Sequence, residues 1–118
     1  MSTIPNSKDE PSEYSIKDLL DLVVSEKAER LICETGAPPS IVVRGDSHMI
    51  EGPSISLDNT RGMFRCLADS RQMREFENSG TANFIHTFQI KFRFLVEARL
   101  LEAGLRFEIS PVPLTPGA

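Results

Sequence analysis

Few groups in this chain could do covalent chemistry, and their settings argue against most of it. Cys33 and Cys66 lie among apolar neighbours, in Leu31-Ile32-Cys33 and Phe64-Arg65-Cys66-Leu67. There a free thiol behaves as a small hydrophobe, so both are expected to be buried and structural. Neither belongs to a CxxC pair, which removes the usual zinc spacing. His48 and His86 are far apart and have no ligand-spaced partner. His86 alternates with Phe84 and Phe88, the pattern of a structural histidine on a sheet face. Asp18, Asp21 and Glu26 lie along a helix whose other face is apolar, so they read as its solvated side rather than a catalytic pair. Serines cluster at caps and turns. No GxxxxGK[ST] loop is present, so triphosphate binding has no anchor. These residues predict no enzyme, no cofactor and no metal.

Arginine offers a different chemistry. Arg61, Arg65, Arg71 and Arg74 fall in one helical region, interleaved with Asp58, Asp69, Glu75 and Glu77. One reading is a solvated surface laced with weak ion pairs. The other is a docking face, because the guanidinium fork takes a partner's carboxylate bidentately.

The elements that would carry these groups follow from periodicity. Ser15 can cap a helix, with Asp18 three residues on, and Ile16, Leu19, Leu20, Leu22, Val23 and Val24 form its apolar stripe. Leu31 to Glu34 reads as a short strand. The Gly36-Ala37-Pro38-Pro39 turn separates it from a second strand, Ser40 to Arg44, and Gly45-Asp46 reverses into Ser47 to Ile50. Ser56 or Asp58 caps a helix carrying Met63, Phe64, Leu67 and Ala68. Asp69 or Ser70 caps a shorter one with Met73 and Phe76, ending near Gly80. Alternation then marks three strands, around Phe84 to Phe88, Phe92 to Val96 and Leu105 to Ile109. The links are short, with Glu102-Ala103-Gly104 as a hairpin turn, so an antiparallel meander is expected. The sum is α+β: an antiparallel sheet with helices packed on one face, a PAS-like arrangement.

At 118 residues the chain is one domain by length. Its net charge of −4 opposes general affinity for nucleic acid. No apolar run of about 18 residues is present to span a bilayer. The start, residues 1–14, is polar and reads as a flexible leader without the order of a secretory signal, so a cytoplasmic chain is expected. Residues 15–111 form the module, and 112–118, with Pro113 and Pro116, an extended tail.

The order Asp18-Leu19-Leu20-x-x-Val23-Val24, then Gly36-x-Pro38-Pro39, Val43-Arg44-Gly45-Asp46 and Glu51-Gly52-Pro53 resembles the amino-terminal domain of type IV pilus retraction motors, the PilT-like branch of the secretion ATPases. Arg74-Glu75-Phe76-Glu77 and Phe92-Arg93-Phe94 continue the likeness, which covers about four-fifths of the chain. In that family an ATPase domain follows, and arginines of the amino domain approach nucleotide held by the neighbouring subunit. Arg93 and Arg99 are the positions the resemblance carries over, as interface or vestigial phosphate-facing residues. Departures are equally specific. The family's Ser-Asp-Leu-His strand is Glu29-Arg30-Leu31-Ile32 here, its Asp before the Phe-Ser-Phe strand is Asn83, and its Arg near the end of the last strand aligns with Glu108.

The resemblance therefore implies a non-catalytic interaction module related to twitching-motility motors. Its partner would be a secretion-type or pilus ATPase, or a second copy of itself, with neither nucleic acid nor membrane insertion. Two alternatives stand beside it: a PAS-like sensory domain whose seven phenylalanines line a ligand pocket, and a piece of a full-length pilus ATPase.

Overall fold

The structure, a computed structural model, describes residues 13–113. The expected leader and tail fall for the most part outside that range. Helix α1 (Ile16–Glu26) starts where the Ser15 hydroxyl accepts the Asp18 amide at 3.3 Å, satisfying a donor that has no partner within the helix. It stops at Lys27, whose left-handed backbone (φ 54°) turns its amide back to the Val23 and Val24 carbonyls.

Strands β1 (Arg30–Glu34), β2 (Ser40–Val43) and β3 (Asp46–Met49) follow as expected to within a residue or two at their ends. The β2–β3 reversal uses Arg44 and Gly45, both at positive φ (53° and 83°), the turn whose twist matches that of the strands. Helix α2 (Leu57–Leu67) is capped by Ser56 rather than Asp58. Helix α3 (Ser70–Ser79) is capped by Asp69. Its carboxylate accepts the Gln72 amide at 2.8 Å while the Gln72 side chain accepts the Asp69 amide at 2.9 Å, a reciprocal capping box. Strands β4 (Thr81–Phe88), β5 (Phe92–Leu101) and β6 (Gly104–Pro111) form the expected meander, with Glu102-Ala103 as the last turn.

One antiparallel sheet holds all six strands in the order β3-β2-β1-β6-β5-β4. The last strand returns to pair with the first, Leu31 opposite Ile109 and Cys33 opposite Phe107. The fold is thus α+β with an open antiparallel sheet. Alternate residues of β1, β6, β5 and β4 are buried, and these side chains join Leu20 and Val23 of α1, Phe64 and Leu67 of α2, and Phe76 of α3 in one core. Phe64 lies at its middle, 4.8 Å from the Phe76 ring and about 6 Å from those of Phe84 and Phe107. Truncating such a ring costs roughly 3–5 kcal/mol.

One expectation fails. Cys33 is buried, but Cys66 is exposed. The inward stripe of α2 runs through Thr60, Met63, Phe64 and Leu67, and at 100° per residue position 66 turns well away from it.

Candidate functional site

Among the described residues, the most connected charges lie on the sheet face opposite the core. Arg106 on β6 donates to Glu34 of β1 at 2.9 Å and to Glu108 two residues along its own strand, while Arg30 stands 3.7 Å from Glu108. The Glu108 hydrogen bond pushes the Arg106 guanidinium further up from its ordinary value, against some desolvation, with Glu34 adding to it. Glu108 therefore occupies its position as the hinge of a four-residue network. Its neighbours across β5 are less satisfied: Glu97 lies opposite Glu108, and Arg99 opposite Arg106. Like charges so placed repel, and neither Glu97 nor Arg99 has an ion pair among the described residues. Together with Thr81 and Asn83 they line a shallow polar depression of about 400 Å³.

Arg93 shares that outer face with Arg99 but stands six positions away on β5, roughly 20 Å at the strand rise. It lines a separate groove with Phe92 and Lys91. The two arginines are exposed and do not converge on one anion.

The four helical arginines divide as well. Arg61 and Arg65, one turn apart on α2, flank a groove of about 390 Å³ between α2 and α3, floored by Phe64, Phe76 and Leu105. Glu77 and the half-exposed Leu100 complete its rim. Neither arginine has an ion pair among the described residues. Arg71 instead donates to Glu75 at 3.1 Å within α3, and Arg74 is exposed but does not line the groove. The arrangement can bind a carboxylate-bearing apolar segment at Arg61 and Arg65.

Buried polar groups that periodicity does not reveal hold the scaffold behind these surfaces. Asn59 accepts the Tyr14 amide at 2.7 Å and donates to the Tyr14 carbonyl at 3.0 Å, clamping the chain ahead of α1 onto α2. Thr60 and Thr35 share a hydroxyl contact that joins α2 to the end of β1. An Asn and a Thr on the apolar side of a helix were the signal available for both.

His86 lies on the inner face of β4, half-buried opposite Phe94. Desolvation lowers its pKa from the ordinary 6.5, while a hydrogen bond to the Leu67 backbone pulls the other way. Burial pushes the Cys33 thiol up to about 12. All seven phenylalanines pack ring against ring, Phe64, Phe76, Phe84 and Phe107 in one group and Phe88, Phe92 and Phe94 in the other. They are core residues in mutual contact. Among the described residues, no group of three or more His, Cys, Asp or Glu could hold a metal ion, and no helix is long and apolar enough to cross a membrane.

No protein-family model matches the chain, and no curated protein matches it by sequence. Solved structures do match. The pilus retraction motor PilT with bound ADP superposes with a TM-score of 0.78 and 15% identity, over 87% of this chain and 30% of that one. The ATPase DotB of Legionella pneumophila gives 0.75 and 19% over 92% and 32%, and DotB of Yersinia pseudotuberculosis 0.69 and 16% over 91% and 33%. Across most of its length the chain therefore has the fold of a domain-sized part of PilT and DotB, and it spans about a third of those ATPases.

Proposed function

We propose that this chain is a non-catalytic assembly module that works in the cytoplasm by docking on a secretion-type or pilus ATPase. The observation that carries the reading is the agreement of fold over 87–92% of the chain with parts of such ATPases. The residues that shape the scaffold are in place: the β2–β3 turn at Arg44 and Gly45 and the caps of α1, α2 and α3. The groups suited to phosphate are not. Glu108 stands where the resemblance calls for an arginine, and it takes up Arg106. Arg93 and Arg99 are too far apart for one phosphate. Arg61 and Arg65 supply cations that have no ion pair among the described residues, above an apolar floor, a surface suited to carboxylates of a protein partner.

The test is affinity capture of the co-expressed cognate motor by the tagged 118-residue chain, with nucleotide binding measured in parallel. The expected result is saturable capture, weakened roughly tenfold or more by Arg61→Glu with Arg65→Glu, and no saturable ATP binding by the chain alone. Failure to capture the motor, or tight ATP binding, sinks the reading.

A further inference from the structure

The β4–β5 hairpin tip is built against backbone preference. Gln89 and Ile90 both take positive φ, 54° and 68°, in the three-residue loop Gln89 to Lys91 between paired Phe88 and Phe92, in a backbone region where Asn and Gly are at ease. A β-branched residue in the left-handed region is an outlier, and Ile90 is also 93% exposed. Neither packing nor turn geometry accounts for an isoleucine there. Strain held at such a point is a pointer to use.

The surroundings say what use. Beside the tip, the end of α1 and the start of β5 enclose a groove of about 450 Å³ with an apolar floor that includes Val24, Phe92, Phe94 and Val112. The charged residues lining it are Lys27, Lys91 and Arg93, all cationic, in a chain of net charge −4. None of the three has an ion pair among the described residues; Lys91 lies 6.0 Å from the centre of the Phe92 ring. Asp21 of α1 is already taken up by Lys17 at 3.2 Å and by the Gln89 side-chain amide at 3.3 Å, and this last contact braces the tip against α1.

We propose that this pole docks on an anionic lipid surface, Ile90 entering the acyl boundary and Lys27, Lys91 and Arg93 meeting the headgroups. An exposed apolar side chain beside a set of cations is the composition that binds such a surface, and electrostatic attraction to acidic lipids adds to apolar burial. An acidic protein segment seated in the groove would use the cations but leave Ile90, which does not line the groove, uncovered. The lipid surface engages both.

The full chain is floated with vesicles of phosphatidylcholine alone and with about 30% phosphatidylglycerol. Retention is expected on the anionic vesicles only, falling at about 0.5 M salt as screening shortens. Ile90→Asn should lower the partition roughly tenfold or more, while its melting temperature does not fall, since Asn accepts the left-handed corner. Replacing Lys27, Lys91 and Arg93 together by Gln should lower it roughly a hundredfold. Absence of binding to anionic vesicles at low salt overturns the proposal, as does retention that Ile90→Asn leaves unchanged. Binding of a synthetic alternating Glu/Leu peptide by a chain that ignores vesicles would also overturn it and assign the pole to a protein. Motor capture reads other residues, so either result can fail without the other.

Discussion

The hydroxyls of Thr35 and Thr60 lie 2.7 Å apart, joining the end of β1 to the first turn of α2, where Thr60 is fully buried. Thr60 also reaches the Ser56 and Leu57 carbonyls at 3.0 and 2.9 Å, while Thr35 accepts the Leu105 amide at 3.2 Å. Three elements distant in sequence meet on two small side chains. Thr60→Val should destabilise the fold by about 1–3 kcal/mol, because Thr35 loses its hydroxyl partner on α2 and keeps only Leu105. In urea unfolding, the double Thr35→Val, Thr60→Val variant should cost less than the two singles added together. Strict additivity would mean that the hydroxyls are not coupled.

Gly104 sits against the same node. A Cβ at this position would collide with the Thr35 side chain. Gly104→Ala should therefore lose about 1–3 kcal/mol by overpacking, read as a lower denaturation midpoint. A midpoint equal to the parent's would show that Thr35 moves aside freely.

The thiols should separate cleanly. One equivalent of an aromatic disulfide reagent should react with the native chain at Cys66. The second should appear only on unfolding, since Cys33 is buried and its thiol is pushed up to about 12. Cys66→Ser should abolish the fast phase; a fast phase that survives this change would refute the assignment.

His86 gives the fold a sensitivity to mild acid. Its folded pKa is lowered below the unfolded 6.5, so at intermediate pH the unfolded chain binds more protons. The contribution is complete above 6.5 and is lost as pH falls through that value toward the lower folded pKa. His86→Gln should flatten this part of the stability–pH curve, measured by denaturant unfolding. An unchanged slope would remove His86 as its source.

Arg106→Gln should uncover the repulsion between Glu108 and Glu97 and leave Glu34 without its partner. The cluster is partly solvated, so the loss should be about 1 kcal/mol at low salt and shrink as salt is added. A loss independent of salt would point to packing instead.

Much of the fold is legible in the sequence because its signals are local. Ser15 and Asp69 cap their helices through amides three residues ahead, and Arg44-Gly45 turns the chain within four residues. Alternation at Phe84, Phe94 and Phe107 fixes which face of each strand is buried. The pairing of β1 with β6 joins residues more than 70 positions apart, and no short-range pattern encodes it. The Asn59–Tyr14 clamp is hidden for the same reason. Cys66 deceives because apolar neighbours in sequence are not neighbours on a helix face. The arginines were identifiable as a group, but only three-dimensional placement separates Arg61 and Arg65, which share a groove, from Arg71, which is spent on Glu75.

The return of β6 to the side of β1 also bears on how the molecule is made. A ribosome delivers Leu31 long before Ile109, so the middle of the sheet waits until β6 has been synthesised. Closing so long a loop carries an entropy cost that the early helices cannot offset alone. Nascent chains stalled before Leu105 should stay protease-sensitive, and those that have released Pro111 from the exit tunnel should become resistant in one step.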